Sequence, residues 1–284
     1  MVPQHKSPPP GIALALFLAL AGCRAPRSVN TPILDLPPPA GATRIAYGDA
    51  PQQFGDLRLP SGGQSVPVAI VIHGGYWRNA YSLDHIGHLC AALTRAGVAA
   101  WSLEYRRLGD PGGGWPAAGD DVRRGAEHLR ALARRYPLDL ARVIVIGHSA
   151  GGQLALWLAA QHAIPLRGVV ALAAVSDLRR AWELHLSRGV VAGLLGGQPD
   201  QQPERYHQAS PIELVPLHVR QRLLHGTRDD VVPIEISRRY QAAATAAGDD
   251  ARLIELPNAG HFELIDPRTT EWKSVQAAVL DLLQ

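Results

Sequence analysis

Residues 143–152 read VIVIGHSAGG, a sequence in which a strand, a tight turn and a helix are predicted in succession. Four β-branched residues typical of a buried strand run into a turn with the pattern GxSxG, and an apolar helical pattern follows. The glycines at 147 and 151 have no Cβ to collide with the neighbouring strand and helix, so a strained turn can lift the Ser149 hydroxyl above the sheet. The pattern predicts a nucleophilic serine; the alternative is a structural serine in a tight turn.

Outward from this stretch, short apolar runs alternate with longer helical patterns, and Gly, Pro or Asp separates them. This alternation is typical of βαβ units. The runs lack polar alternation, which indicates a sheet covered on both faces. We therefore expect an α/β fold, with a mostly parallel central sheet and helices on both faces. The parallel strands are predicted at 68–72, 98–104, 142–146, 168–173, 221–225 and 251–256, after an antiparallel opening pair at 42–47 and 56–59.

One segment, residues 178–217, interrupts the alternation with several prolines, a glycine-rich VVAGLLGG stretch and no clean period. We interpret it as a small cap-like insertion over the carboxyl edge of the sheet, where open α/β sheets place their ligands. Its packing is expected to shape the substrate pocket, together with Tyr76, Trp77, Trp115 and Trp182. Helices are predicted at 83–96, 117–135, 153–161, 234–247 and 269–283.

A second glycine turn follows the run at 70–72, where residues 73–77 read HGGYW. Consecutive glycines allow backbone N–H groups to approach a ligand closely. We expect the N–H groups of Gly75 and Ala150 to hold an oxyanion near Ser149, with Gly74 assisting. His73 is an alternative catalytic base, although a histidine in this position more often braces the loop.

A serine hydroxyl needs a histidine base and an acid that orients it. Residues 222–233, RLLHGTRDDVVP, place Asp229 after one predicted strand, and residues 254–263, IELPNAGHFE, place His261 after the last. The order Ser149, Asp229, His261 is that of the α/β hydrolases. Alternatives for the acid are Asp230 and Asp177, and Glu263 is a further carboxylate beside the base.

Seven motifs along the chain occur together. They are HGGYW at 73–77, EYR at 104–106, GHSAGG at 147–152, SDL at 176–178, SP at 210–211, HGTRDDVVP at 225–233 and GHFELID at 260–266. The stretch from about 56 to 281 thus resembles the α/β-hydrolase superfamily, in its esterase and lipase branch with an HGGxW loop, which includes kynurenine-formamidase-like and feruloyl-esterase-like enzymes. In such enzymes the acid stands four residues before the proline of a DxxVP motif, which is Asp229 here.

The resemblance implies a serine hydrolase that cleaves a small-molecule carboxylic ester through an acyl-enzyme. An arylformamidase acting on N-formylkynurenine, or a peptidase, would use the same three residues. A lipoprotein with an inactive hydrolase fold is a further alternative. Metal-binding motifs such as HExxH, and the P-loop and GxGxxG phosphate motifs, are absent from the sequence, so no metal or nucleotide cofactor is implied.

Composition excludes other classes. The 284 residues carry a formal charge of +3 with basic residues spread along the chain, which argues against nucleic acid as a partner. Two cysteines, Cys23 and Cys90, exclude a disulfide scaffold and a cysteine-rich metal site. Cys90 lies in an apolar helical pattern, and we expect it to be a buried free thiol.

The amino terminus carries a basic, proline-rich start followed by ten uncharged apolar residues at 12–21, which are too few to span a bilayer. The run ends in Leu-Ala-Gly-Cys, which resembles the lipobox of bacterial lipoproteins. We therefore expect a signal peptide at 1–22, a lipidated Cys23, a proline-rich tether at 23–42 without core residues, and a hydrolase domain at 43–284. The protein would be exported and anchored by lipid to a bacterial membrane, which we expect to be the outer membrane on its periplasmic side; the alternative is a cytoplasmic enzyme.

Overall fold

The computed structural model describes residues 1 and 32–284, and an eight-stranded sheet organises the second range. The strand order is β1-β2-β4-β3-β5-β6-β7-β8. β1 and β2 pair in antiparallel fashion, β2 joins β4 in the same way, and all other pairs are parallel. The strands are β1 Thr43–Ala46, β2 Phe54–Arg58, β3 Val66–Ile72, β4 Ala99–Leu103, β5 Leu138–His148, β6 Gly168–Leu172, β7 Arg220–Gly226 and β8 Ala251–Leu256.

Helices cover both faces of this sheet. Alternate residues of β3 belong to two separate core clusters, with Val68 and Ile70 in one and Ala69 and Val71 in the other. The first cluster includes buried side chains of α2, α4 and α8, and the second those of α1 and α9. The helices are α1 Gly87–Arg95, α2 Ala117–Glu127, α3 Leu129–Leu132, α4 Ala150–Ala160, α5 Leu178–Glu183, α6 Leu186–Leu195, α7 Pro203–Ala209, α8 Glu235–Ala246 and α9 Trp272–Leu283.

The predicted fold class is confirmed, and the differences lie at the ends of elements. The helix predicted at 83–96 begins with a 3₁₀ turn at Leu83–Ile86, and the one predicted at 117–135 divides at His128 into α2 and α3. β5 begins earlier than predicted because Leu138 already pairs with Val66 across a register shift. Cys90 is buried and free, as predicted.

The insertion at 178–217 forms α5, α6, α7 and a 3₁₀ turn at Pro211–Glu213. Several hydrogen bonds join it to the helices and loops that cover the sheet, including two that are made to backbone carbonyls of α6 and α7. The Trp115 N–H donates to the Leu194 carbonyl at 3.1 Å, and the Gln153 amide on α4 donates to the Ala209 carbonyl at 2.8 Å. Within residues 32–284 no helix is both long enough and apolar enough to cross a membrane.

The segment before β1 differs from its prediction. Residues 23–42 were expected to hold no core side chain, but Ile33 is only 3% exposed and belongs to the cluster that contains α1 and α9. A 3₁₀ turn at Ile33–Asp35 places it there. A single buried residue makes no periodic pattern, so nothing in the sequence separated this turn from a tether. Residues 2–31, which include the predicted signal peptide and Cys23, lie outside the described residues.

Candidate active site

Ser149 lies in a strained turn between β5 and α4. Its backbone has φ 58° and ψ −120°, a conformation that non-glycine residues rarely adopt. A Cβ at Gly147 would lie 2.1 Å from the Gly151 carbonyl oxygen, and a Cβ at Gly151 would lie 2.2 Å from the Ile72 carbonyl oxygen. Both positions therefore require glycine, as the sequence pattern predicted, and α4 begins directly after the serine.

The loop after β3 lies against this turn, since a Cβ on Gly74 would come within 3.0 Å of the Ser149 Cβ. The Gly74 N–H donates to the Nε2 of His85 at 3.2 Å. This N–H was predicted to assist in holding an oxyanion, but it already has a partner. The N–H groups of Gly75 and Ala150 make no hydrogen bond among the described residues. These two donors remain open to a ligand oxygen.

His73, the first residue of the same loop, has an oxygen atom close to each of its ring nitrogens. Its Nε2 donates to Glu104 Oε1 at 2.8 Å, and its Nδ1 lies 2.7 Å from the Gly74 carbonyl oxygen. Burial would raise the pKa of Glu104, but the charge and hydrogen bond of His73, with Arg107 nearby, lower it below the usual range. Because both ring nitrogens of His73 face oxygen acceptors, neither is free to accept a proton from a serine.

Asp229 lies in the loop after β7, and its side chain is fully buried. Oδ1 accepts the N–H groups of Val231 and Val232 at 2.9 and 2.8 Å, and Oδ2 accepts from His261 Nδ1 at 2.6 Å. A carboxylate only accepts, so Nδ1 of His261 carries the proton and Nε2 is left as the basic nitrogen.

Neither of the two alternative acids contacts His261. Asp230 is exposed, and Asp177 caps α5 by accepting the Arg180 N–H at 2.9 Å while it pairs with Arg239 at 2.9 Å. Glu263, the carboxylate close to the base in sequence, accepts the Gly260 N–H at 3.1 Å. Of the four carboxylates considered, Asp229 is therefore the one bonded to His261.

His225 is a supporting residue that the sequence analysis missed. Its Nε2 lies 3.3 Å from Asp229 Oδ2, and its Nδ1 lies 2.7 Å from Ser237 Oγ. Burial would raise the pKa of Asp229, but hydrogen bonds from His225 and His261 outweigh burial and lower it far below its usual range. The spacing of a histidine four residues before the acid, in HGTRD, was the available signal.

The loops that carry Asp229 and His261 are pressed together. A Cβ at Gly226 would lie 2.3 Å from the Ala259 carbonyl oxygen, and the Arg228 N–H donates to that oxygen at 2.9 Å. His148, the residue before Ser149, donates from Nε2 to the His261 carbonyl at 3.0 Å. Burial lowers the pKa of His148 to about 3, so the ring is neutral and ties the serine turn to the histidine loop.

Ser149 and His261 line one cavity of about 220 Å³. The Ser149 hydroxyl makes no hydrogen bond to His261 in this structure; such bonds often tighten only in the substrate complex. No residue of the insertion lines the cavity, and of the four aromatic candidates only Tyr76 does. Its lining also includes Leu34, which the sequence analysis did not consider.

The amino-acid sequence is similar to those of several known proteins. A sequence model of the BD-FAE family matches residues 56–243. Esterase LipC of Mycobacterium tuberculosis is 29% identical over 252 residues, which are 80% of this chain and 61% of that protein. Kynurenine formamidase of Salmo salar is 23% identical over 240 residues, covering 78% and 75% of the two chains. The chain spans only 61% and 56% of the length of LipC and of a second M. tuberculosis esterase, LipQ.

Solved structures share the same architecture. A truncated carbohydrate esterase from gut microbiota superposes with a TM-score of 0.75 at 22% identity and covers 86% of this chain and 96% of its own. A bacterial heroin esterase gives 0.71 at 18% identity, with coverage of 89% and 87%. At such identities the likeness shows the fold, which is that of the α/β hydrolases. Because the family model matches well over half of the residues, the chain belongs to the BD-FAE family.

Proposed function

We propose that the protein is a serine hydrolase that cleaves a carboxylic ester of a small molecule. One observation carries this proposal. A single cavity holds the hydroxyl of Ser149, on a strained turn, and the imidazole of His261, whose Nδ1 is 2.6 Å from the buried Asp229 carboxylate. These are the parts that acyl transfer to serine requires.

In the proposed first half-reaction, Ser149 Oγ attacks the ester carbonyl while Nε2 of His261 takes its proton. Negative charge develops on the carbonyl oxygen, which can accept from the N–H groups of Gly75 and Ala150, two donors that have no partner in the part of the chain that the structure describes. The amino end of α4 contributes a positive potential at the same place. The tetrahedral intermediate collapses, His261 returns the proton to the alcohol, and the acyl group stays on Ser149.

In the second half-reaction, His261 removes a proton from water as the water oxygen attacks the acyl carbonyl. The bond between the acyl carbon and Ser149 Oγ then breaks, His261 returns the proton to Oγ, and the acid is released. Asp229 remains ionised throughout, because its hydrogen bonds lower its pKa so strongly. Its role is to hold the tautomer of His261 that keeps Nε2 basic, and to stabilise the imidazolium when it forms.

Ester hydrolysis is also supported by relatives whose names state it, LipC and LipQ. A second candidate, cleavage of an N-aryl formamide, is supported by the likeness to the kynurenine formamidase of Salmo salar. The same residues would perform it, since an anilide nitrogen leaves as the alcohol oxygen does.

The test is a substrate panel with a matched pair of serine variants. Purified protein is assayed with 4-nitrophenyl esters, feruloyl esters, N-formylkynurenine and a peptide. Ser149→Ala should lower kcat by about 10⁴ to 10⁶ and abolish labelling by a fluorophosphonate probe. Ser176→Ala, at a buried serine outside the cavity, should keep both. Labelling that persists in Ser149→Ala would rule out the proposed nucleophile, and turnover of the formamide alone would favour the second candidate.

A further inference from the structure

The cavity beside Ser149 has an apolar rim. Apart from Met1, four large apolar side chains are more than a third exposed among the described residues, namely Leu34, Tyr81, Phe262 and Leu280. The first three line this cavity. Exposed apolar side chains gathered at one opening mark a binding site, whereas single exposed ones need no explanation.

Leu34 reaches the rim from the segment that precedes the first strand, and several contacts fix this segment on the domain. Ile33 is buried in the core next to it in sequence. The Arg58 guanidinium, only 7% exposed, donates to the Ala40 carbonyl at 2.7 Å and also to the Pro39 carbonyl. His88 on α1 donates to the Pro37 carbonyl at 3.0 Å. These contacts therefore fix the position of Leu34 relative to the cavity.

We propose that residues 33–36 are a specificity element, and that the Leu34 side chain contacts an uncharged apolar group of the ester substrate. This inference rests on the proposed function. The cavity lining contains no Asp, Glu, Lys or Arg, so a charged group would be desolvated there without a partner. The aromatic residues Tyr81 and Phe262 line the same space.

The size of the cavity narrows the substrate class. A volume of about 220 Å³ equals roughly seven water-sized groups at about 30 Å³ each. A hexanoyl chain or one phenyl ring is of that size, whereas a longer acyl chain would extend past the rim into solvent. The favoured substrate is thus an ester with one short-chain or single-ring apolar group beside Leu34.

The experiment varies Leu34 against a matched leucine. Leu280, on α9, is 38% exposed against 36% for Leu34 and lies outside the cavity, so Leu280→Ala controls for the loss of an exposed leucine. The wild type, Leu34→Ala, Leu34→Trp and Leu280→Ala are assayed with 4-nitrophenyl acetate and hexanoate, and with methyl and benzyl acetate. These two series vary the acyl and the alcohol side separately.

In Leu34→Ala, kcat/KM should fall about tenfold for the larger member of at least one series, mainly through KM. Within that series it should change less than twofold for the smaller member. Leu34→Trp, which narrows the cavity, should also discriminate against the larger member, and Leu280→Ala should match the wild type. Equal changes for the smaller and the larger member in both series, or the same profile in both alanine variants, would overturn the proposal.

A binding measurement separates this inference from the proposed function. If the wild type hydrolyses no ester, the function is wrong, but binding of 1-hexanol to the cavity can still be followed by NMR titration. Leu34→Ala should weaken that binding about fivefold relative to Leu280→Ala. Unchanged binding, or no binding to the wild type, would refute the role of Leu34 whatever the enzyme catalyses.

Discussion

At the scale of single residues, the neighbours of Ser149 are distinguished by how completely their polar atoms are paired. His73 is held by Glu104, the Gly74 N–H by His85, and Asp229 by two backbone N–H groups and His261. Such saturation fixes geometry, because a buried polar atom without a partner costs free energy. Nε2 of His261 and the N–H groups of Gly75 and Ala150 have no hydrogen-bond partner within residues 32–284, and these are the atoms that the proposed reaction uses.

The first prediction distinguishes two adjacent carboxylates. Asp229→Asn keeps the size of the side chain but presents an amide N–H to His261, which favours the wrong tautomer of the ring. We expect kcat for 4-nitrophenyl acetate to fall about 10⁴-fold. Asp230→Asn, at the exposed neighbour, should change kcat less than threefold. A large loss in Asp230→Asn with activity retained in Asp229→Asn would reverse the assignment.

The second prediction concerns stability in acid. The pKa of His148 is lowered to about 3 in the folded protein by burial, against about 6.5 in an unfolded chain. Between these two pH values only the unfolded state binds the proton. The free energy of unfolding is therefore unaffected by His148 above about pH 6.5, and it decreases steadily as the pH falls toward 3. This residue alone should cost about 2 kcal/mol between pH 7 and pH 5.

His148→Gln, which retains a donor for the His261 carbonyl, tests this dependence by urea unfolding at both pH values. Its stability should fall by about 2 kcal/mol less than that of the wild type over this range. His162→Gln, at an exposed histidine, is the control. Parallel stability curves for His148→Gln and the wild type would contradict the prediction.

At the scale of elements, the strand bounds were predicted to within two residues except at the start of β5, whereas the starts of α4 and α9 were each predicted three residues away. β8 has the predicted bounds, 251–256, because an apolar run between two polar turns leaves little freedom in its placement. α4 begins at Ala150 instead of the predicted 153, since the helix starts directly at the strained serine. The segment predicted at 83–96 contains His85, whose bond to Gly74 joins positions that are not adjacent in sequence. Contacts of this kind leave no periodic signal.

The third prediction tests how closely the loops after β7 and β8 must approach. Gly226→Ala would put a Cβ 2.3 Å from the Ala259 carbonyl oxygen, a contact that forces the backbone to move. We expect a loss of about 1–3 kcal/mol in stability and at least tenfold in kcat, because the bond between Asp229 and His261 spans the two loops. Gly63→Ala, where a Cβ meets no atom within 4 Å, should keep both within error. Equal melting temperatures and equal kcat values for the two variants would show that the two loops can move apart without loss, and would contradict the prediction.

At the scale of the whole molecule, the fold class could be predicted from motifs, and so could the three residues of the triad that we propose, but the residues that line the cavity could not. The sequence favoured the insertion at 178–217 as the element that shapes the pocket, whereas Leu34 lines it and the insertion does not. The segment before β1 is held on the domain by hydrogen bonds that the carbonyl oxygens of Pro37, Pro39 and Ala40 accept. Backbone acceptors are the same for every residue type, so such docking is invisible in a sequence. The domain therefore includes residues that were predicted to be a tether.

The fourth prediction concerns the anchor that we propose at Cys23, where Leu-Ala-Gly-Cys follows an apolar run too short to span a bilayer. In a Gram-negative host the full-length protein should incorporate labelled palmitate and sediment with membranes, and Cys23→Ala should abolish both. Cys90 cannot substitute as the lipidated thiol, because it is buried and its pKa is raised to about 12 by burial. Esterase activity should survive in Cys23→Ala, since Ile33 and Leu34 are retained. A wild-type protein that stays in the cytosol with its first 22 residues attached would refute the anchor, and would strengthen the formamidase candidate, whose N-formylkynurenine substrate is an intracellular metabolite.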